Sequence, residues 1–530
     1  MMMNRRGSLW ATVGVVFCVG TLAFAAVGEE ESSREKTSVG VKLSELDIEK
    51  NNNKEKEKGG DIQPLREGVF SAAAGLHILH LHEGRPQEDK TLLEALRDME
   101  LPVLRLPGGD DLNTWSWRKG RNMERPDSPP MHIPAWKQLL DAGDSEPLWG
   151  INVHTSSTAD TVFLCNEIER LALPSRYFEL GNELYIRHWE ATVSEYIESA
   201  RDHAKVIRKR FPEAKLGAPI ASLWGIRKGA GDDERFEFLE PDQIRFRSDW
   251  VLNISEQDFV DALVAHLYLT PREIDDYRDC SRQAVIDWAW TRSGAAVLKD
   301  QFDAVSALAP ENEIWSTEWG FNTTQYEERN RGENRYHAHL TMLAVLHDAR
   351  FMLNTAVHCP KVTLLTNWTL VDQPAVAIYK RNRGPTIKHA MFRMLRRAYE
   401  GADGVAELKF QTERDLPVIT GPAKGMGFEH YSSPAVDVFG FFKGDILQSA
   451  VILNILEDPQ TISLPQTGGG DSKAVCLHSD SLLPDWGNPD NPPFRDWSPP
   501  YEIESLSVEE GTVTVPGGSL SVVQFFPDRD

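Results

Sequence analysis

Residues 176–189 read RYFELGNELYIRHW. The run RYFELGN (176–182) has the aromatic and apolar content of a short buried strand. It ends in an amide and a carboxylate, Asn182 and Glu183. An amphipathic stretch at helical spacing, TVSEYIESARDHAKVIRKRF (192–211), follows it. A polar pair closing a buried strand is either turn chemistry or half of a reactive site. One strand-then-helix unit cannot decide between them, so the neighbouring units must.

The same rhythm runs from residue 67 to about 400. Strands are expected at GLHILHL (75–81), LPVLRL (101–106), PLWGINV (147–153), RYFELGN (176–182), AKLGAP (214–219), DALVAHLY (261–268), EIWSTE (313–318) and KVTLLTNW (361–368). Amphipathic stretches such as DKTLLEALRDM and RYHAHLTMLAVLHDARFML lie between them. Eight strand–helix repeats are the count of a (β/α)8 TIM barrel. An open doubly wound sheet is the alternative. It calls for a glycine-rich phosphate loop after the first strand, and HLHEGRPQE (80–88) has none.

Past residue 400 the helical period stops. Short strand-like runs (VDVFGFFKG, LQSAVILNIL, GTVTVP, SLSVVQFF) alternate with Gly, Pro and Asp turns, the pattern of a β-sandwich. The expected class is therefore α/β: a (β/α)8 TIM barrel over 67–400, then an all-β sandwich over 401–530. Residues 1–25 read as a signal peptide. Arg5 and Arg6 precede an apolar run that ends in the small-x-small pattern Ala23-Phe24-Ala25. Residues 26–66 are a charged tail or linker, within which SVGVKLSEL has the pattern of one edge strand. A secreted or periplasmic protein without membrane insertion after cleavage is expected.

The chain carries 57 Lys+Arg against 80 Asp+Glu, a net charge of −23, which disfavours nucleic acid or an anionic membrane as partner. Fifteen tryptophans suit flat apolar ligands such as sugar rings as well as a large core. Beyond the leader, Cys165, Cys280, Cys359 and Cys476 form no CxxC pair, so buried thiols are expected and a zinc cluster is not. His77, His80 and His82 in HILHLH lack a carboxylate partner and read as packing. No metal and no cofactor are expected.

Reactive groups of a TIM barrel sit at the C-terminal ends of its strands. There the fourth strand offers Asn182-Glu183 and the seventh Glu318. Arg105 ends the second, His266 and Tyr268 lie on the sixth, and Trp368 closes the eighth. Two carboxyls facing each other suit glycosidic cleavage. One protonates the leaving oxygen, and the other, ionised beside an arginine, attacks the anomeric carbon. Each residue also has a structural reading: Glu183 as a carboxylate at a helix start, Arg105 as a counter-ion, His266 and Trp368 as core.

ELGNE and STEWGF in these positions resemble the clan A retaining glycoside hydrolases. VLRLPGGDDLNTWSWRKGRNMERP (103–126), VTLLTNWTLVD and IKHAMFRMLRRAY resemble the α-L-arabinofuranosidase family of that clan. The resemblance implies Glu183 as acid/base and Glu318 as nucleophile. It implies substrate contacts from Arg105, Asp110, Trp115, Asn182, His266, Tyr268, Trp319 and Trp368. Three positions depart from the family pattern. Asp110 stands for an Asn after Pro-Gly-Gly, Leu79 for a strand-one Glu, and Thr369 for a strand-eight Gln. All three concern the sugar rather than the bond broken.

Arg118, Lys119, Arg121 and Arg125, with Arg187 and His188 after the acid/base, form a basic cluster in an acidic chain. It reads either as local salt bridges or as an anionic subsite from Arg118, Arg121, Arg187 and His188. The expected function is a secreted retaining glycoside hydrolase acting on a plant or algal polysaccharide or oligosaccharide, arabinofuranosidase-like. The alternatives are an endo-acting hydrolase of a uronate- or sulfate-bearing glycan and a non-catalytic carbohydrate-binding protein on a hydrolase scaffold.

Overall fold

A computed structural model describes residues 61–74, 85–185, 192–221, 225–228, 235–238, 250–269, 281–321, 340–371, 377–380, 384–421, 431–465, 471–483 and 500–526. The leader, the SVGVKLSEL run, His77, Leu79, His80, His82, Arg187, His188 and Cys280 lie outside the described residues.

Eight parallel strands close into a barrel: β1 (Ser71–Ala73), β2 (Val103–Leu106), β3 (Glu146–Ile151), β4 (Tyr177–Leu180), β5 (Lys215–Pro219), β6 (Ala262–Leu269), β7 (Glu313–Phe321) and β8 (Val362–Asn367). The ring closes where β5 pairs with β6 and β8 with β1. Seven of the eight fall where the apolar runs place them. For the first, the described strand lies earlier in the chain, and the expected run 75–81 is outside the described residues. β1 is the small-residue run Ser71-Ala72-Ala73, paired with Leu104 and Arg105 of β2. Small side chains give no period-two signal, so the alternation of HILHLH outweighs them in the sequence.

Helices cover the barrel. In α1 (Lys90–Met99) Asp89 caps the amino end, accepting from the backbone N–H of Thr91 and Leu92. In α4 (Val193–Arg210) Thr192 and Glu195 form a reciprocal capping box. The helix over Met342–His358 (α7, counting α2 Ile133–Gly143, α3 Thr158–Arg170, α5 Arg282–Arg292 and α6 Ala295–Leu308 before it) is buried at every position through Ala356. Several of its polar members are partnered across the interior. Asp348 pairs with Lys388 at 2.7 Å, Arg350 with Asp437 at 2.5 Å, and Asn354 donates to the Ser293 carbonyl. Arg66 donates to the carbonyls of Thr355, Ala356, Cys359 and Val362, closing off the helix end where such groups lack partners.

The C-terminal part builds a four-stranded antiparallel sheet, six strands of a seven-stranded one, and a two-stranded ribbon of Val418–Thr420 with Ser432–Pro434. The central strands Val436–Lys443, Ile446–Asn454 and Ser519–Phe525 are apolar on both faces because both are covered. Val438, Ile452 and Val523 face the four-stranded sheet, with Ile462 and Val513 opposite. Phe439, Phe441, Val451, Leu453 and Leu520 join the barrel's own core. Phe70 stacks on Tyr399 of α8 (Ile387–Tyr399) at 4.7 Å, with Phe441 against both. Gln63–Pro64 pairs with Gly404 and Val405 at the edge of the seven-stranded sheet. Cys165, Cys359 and Cys476 are buried free thiols, as expected.

The barrel interior is layered with the period of two that strands impose. One layer is apolar: Val103, Leu148, Tyr177, Val264, Trp315 and Leu364. Trp315 fills its centre only because position 217 is glycine, where a Cβ would stand 2.5 Å from the indole. Two residues further along the strands stand Arg105, Glu179, Thr317 and Thr366, all completely buried. The apolar layer is thus the floor under a polar one.

Candidate active site

Arg105 sits at the centre of the polar layer, and all its N–H groups point at acceptors. Nε and one terminal nitrogen hold the two oxygens of Glu179 at 2.6 and 2.7 Å. The other terminal nitrogen holds Glu318 Oε1 at 2.7 Å and reaches the Thr317 carbonyl at 3.4 Å. Asn182 Oδ1 accepts a further bond at 2.8 Å. A planar five-donor fork fits this set of acceptors; an ammonium does not. Burial works against the charge, but Glu179 and Glu318 hold the guanidinium pKa above its ordinary value.

Glu318 is also held from its other side. Tyr268 donates to its Oε2 at 2.6 Å, and His266 Nδ1 lies 3.8 Å from the same oxygen. Burial pushes this carboxyl up, yet the charges of His266 and Arg105 and the bonds from Tyr268 and Arg105 outweigh it and leave it below the usual range. Burial and the adjacent Glu318 push the Tyr268 hydroxyl far up, so it remains a donor.

Glu183 is placed by a sharp turn. Gly181 has φ +89°, and a Cβ there would meet Leu184 and Val153 at 2.9 and 3.0 Å. Glu183 itself has φ +45°, a left-handed backbone that costs a non-glycine residue about 1 kcal/mol or more. The turn is clamped by Asn113, which donates to the Asn182 carbonyl at 2.6 Å and accepts from its N–H at 2.9 Å. Asn113 arrives there because Gly108 and Gly109, both at positive φ, fold the chain after β2 back over the barrel end.

His266 Nδ1 lies 2.7 Å from Glu183 Oε1, and its Nε2 lies 3.1 Å from Thr317 Oγ1. Burial lowers its basicity, but Glu318 and Glu183 together raise it above the ordinary histidine value. Asp110 accepts from Asn182 Nδ2 at 3.1 Å. Burial of its carboxyl, then the charges of Glu183 and Glu318, push it up to about 7. Its outer surface stays exposed, and water there tempers the effect.

The expected residues Arg105, Asp110, Asn182, Glu183, His266, Tyr268 and Glu318 thus come together in one cluster. Two tryptophans do not join it, and these are corrections. Trp115 has no exposed surface and packs edge-on against Trp117 and Trp136. Trp319 is equally buried, stacked on Phe351 at 4.6 Å. A side chain on a strand or turn beside a site faces the core as readily as the cleft, and these two do. Trp368 packs with Ala73 and Tyr268, beside the cluster.

Three of the basic residues are engaged elsewhere. Arg118 reaches the Ala159 carbonyl and lies over the Phe163 ring, Arg121 donates to the Pro126 carbonyl, and Arg125 pairs with Asp111 at 4.0 Å. Local pairing, rather than a shared anionic subsite with the carboxyl pair, describes these three.

Sequence reasoning misses Glu179, Asn113 and Thr317. Glu179 carries a readable signal: a carboxylate between Phe178 and Leu180 in a buried strand requires a buried cation. Glu183, His266 and Glu318 bring one carboxylate oxygen or ring nitrogen each within 4.8 Å of one another, a spacing that also suits a small ion. Their atoms are already bonded to one another, to Arg105 and to Tyr268, so acid–base chemistry is the simpler account.

No protein-family model matches the chain, and no curated protein matches it in sequence. Solved structures do match. The family 51 α-L-arabinofuranosidase of Bifidobacterium longum superposes with a TM-score of 0.63 at 15% identity, covering 88% of this chain and 98% of that one. The chain has the arabinofuranosidase fold. An arabinose complex of the α-L-arabinofuranosidase of Thermotoga maritima gives 0.60 at 15% identity over the same shares. A 4-O-α-L-rhamnosyl-β-D-glucuronidase of Fusarium oxysporum gives 0.55 at 13% identity, covering 88% and 99%. The barrel with a C-terminal β domain is common ground; identities this low carry the fold alone.

Proposed function

We propose that the chain is a retaining glycoside hydrolase with Glu318 as nucleophile and Glu183 as acid/base. One observation carries this reading. The two carboxyls stand within 4.8 Å, oxygen to oxygen, and are treated differently: Glu318 is locked by Arg105 and Tyr268, while among the described residues Glu183 is hydrogen-bonded to the imidazole and, at 3.4 Å, to Tyr185. Retaining enzymes place their carboxyls about 5–5.5 Å apart, and inverting ones leave about 6.5–9.5 Å for a water.

In the first half-reaction Glu183 gives its proton to the glycosidic oxygen as the C–O bond breaks. Glu318 forms an ester to the anomeric carbon, and the leaving sugar departs as an alcohol. In the second, Glu183 takes a proton from water, whose oxygen displaces Glu318. Asn182 is positioned for the sugar 2-hydroxyl, and Tyr268 and Trp368 for the ring. Arg105 keeps Glu318 ionised and aimed.

A neutral sugar, an arabinofuranoside first, fits the site better than a uronate. Asp110 adds a carboxyl beside the pair, and Arg118, Arg121 and Arg125 are bonded elsewhere. The leader pattern supports export to meet a polysaccharide. The test is purified protein on a panel of aryl glycosides and on neutral and anionic polysaccharides, with product sizing. Release from α-L-arabinofuranosides or neutral glycans is expected. Turnover of uronate substrates alone would overturn the neutral-sugar reading, and no turnover on any would overturn the enzyme.

A further inference from the structure

A chain of hydrogen bonds runs away from Glu183 into the barrel: Glu183 Oε1 to His266 Nδ1 at 2.7 Å, His266 Nε2 to Thr317 Oγ1 at 3.1 Å, and Thr317 Oγ1 to Glu179 Oε1 at 3.1 Å. Its direction follows from its far end. Both oxygens of Glu179 already accept from Arg105, so the remaining contact needs a donor, which is the Thr317 hydroxyl. A hydroxyl has one proton. With that proton on Glu179, Thr317 can only accept from His266, so Nε2 must carry a hydrogen.

We infer that Thr317, oriented by Glu179, is a positioning residue that fixes neutral His266 as its Nε2–H tautomer and leaves Nδ1 as the acceptor for the acid proton of Glu183. The inference rests on the reading of Glu183 as acid/base. The other charged groups around the ring are Glu318, whose Oε2 is 3.8 Å from Nδ1, Arg105 beyond it, and Asp110 from the loop after β2. Tyr268, on the same strand, spends its proton on Glu318. None of these contacts Nε2, so Thr317 alone among the described residues sets the tautomer there.

The consequence is chemical. With Nε2–H fixed, Glu183 and His266 hold one proton between them across 2.7 Å, and Nδ1 can return it to the carboxyl, for delivery to the glycosidic oxygen, as Glu318 loses its charge in forming the ester. Without Thr317 the neutral ring is free to carry its hydrogen on Nδ1 and donate to Glu183. That holds Glu183 as a carboxylate, the wrong form for an acid.

The deciding experiment is nitrogen NMR on 15N-histidine-labelled protein, with His266 assigned by its loss in His266→Asn, followed to the alkaline end of its titration. Wild type and Thr317→Ser should show the proton on Nε2, and Thr317→Val should move it to Nδ1. A proton on Nδ1 in wild type, or an unchanged tautomer in Thr317→Val, would overturn the inference. This readout needs no substrate, so it stands apart from failure of the glycosidase reading, and the wild-type spectrum decides even if the valine variant does not fold.

Kinetics on whichever glycoside the panel identifies adds a second readout. Thr317→Val should lower kcat/KM about 10–100-fold for alkyl glycosides, within what a general acid contributes, and barely alter it for dinitrophenyl glycosides. Its alkaline limb should move to lower pH, and Thr317→Ser should restore both. Equal losses on both leaving groups with an unmoved pH profile would mean Thr317 is structural only.

Discussion

Arg105 donates to both oxygens of Glu179, at 2.6 and 2.7 Å, with neither side chain exposed to solvent. The pair explains how Glu318, in its proposed role as nucleophile, can be anchored by an arginine without losing its reactivity. Glu179 carries the paired charge, and Glu318 receives one directional bond from a group already balanced. A single arginine facing a single glutamate would give a tighter, less nucleophilic ion pair.

Arg105→Ala should therefore damage the fold as well as the site. It leaves Glu179 buried without its cation, which costs about 3–5 kcal/mol, measurable by denaturant unfolding. Arg105→Lys restores the charge but not the fork, and should lose about 10²-fold or more in kcat. A lysine variant of full activity would show that geometry is unimportant here.

Replacing the carboxyls one at a time should separate their roles. Glu318→Gln is expected to abolish turnover on every glycoside, because no other carboxylate of the cluster is placed to attack the anomeric carbon. Glu183→Gln should lose about 10²–10⁴-fold on alkyl leaving groups and much less on dinitrophenyl ones, which leave without a proton. Initial rates on matched alkyl and aryl substrates give the comparison.

Asp110 makes stability depend on pH in a stated direction. Its ordinary value is 3.8 and its value in the fold is about 7, so between these the folded form keeps a proton that the unfolded chain has lost. Its stabilising contribution is complete below about pH 3.8, declines as pH rises, and is gone above about 7. Asp110→Asn has no such loss. The variant should match wild type near pH 4 and exceed it by about 1–2 kcal/mol at about pH 8, a figure discounted for the open side of the residue. Unfolding curves at the two pH values check this, and a gain that is larger at low pH would reverse the sign.

Much of this architecture is legible in the amino-acid sequence. Seven barrel strands follow from apolar runs bounded by Pro, Gly and polar residues, and Glu183 and Glu318 follow from standing at the ends of two of them. β1 escapes because Ser71-Ala72-Ala73 is strand by virtue of its neighbours, not its own propensity. Trp115 and Trp319 read as ligand contacts because sequence does not say which way an aromatic ring turns. Glu179 lies one layer below the strand ends, where reactive groups are not expected. Yet the period of two from Tyr177 already aims it inward.

The most direct test of the two assigned roles uses Glu183→Ala and a 2,4-dinitrophenyl glycoside of the sugar that the panel identifies. Formation of the glycosyl ester needs no acid with that leaving group, while its hydrolysis needs the missing base, so the intermediate should accumulate. Intact-mass and peptide mass spectrometry should find one glycosyl group on the peptide containing Glu318. An unmodified Glu318 with product still released, or a glycosyl group on any other residue, would contradict the account.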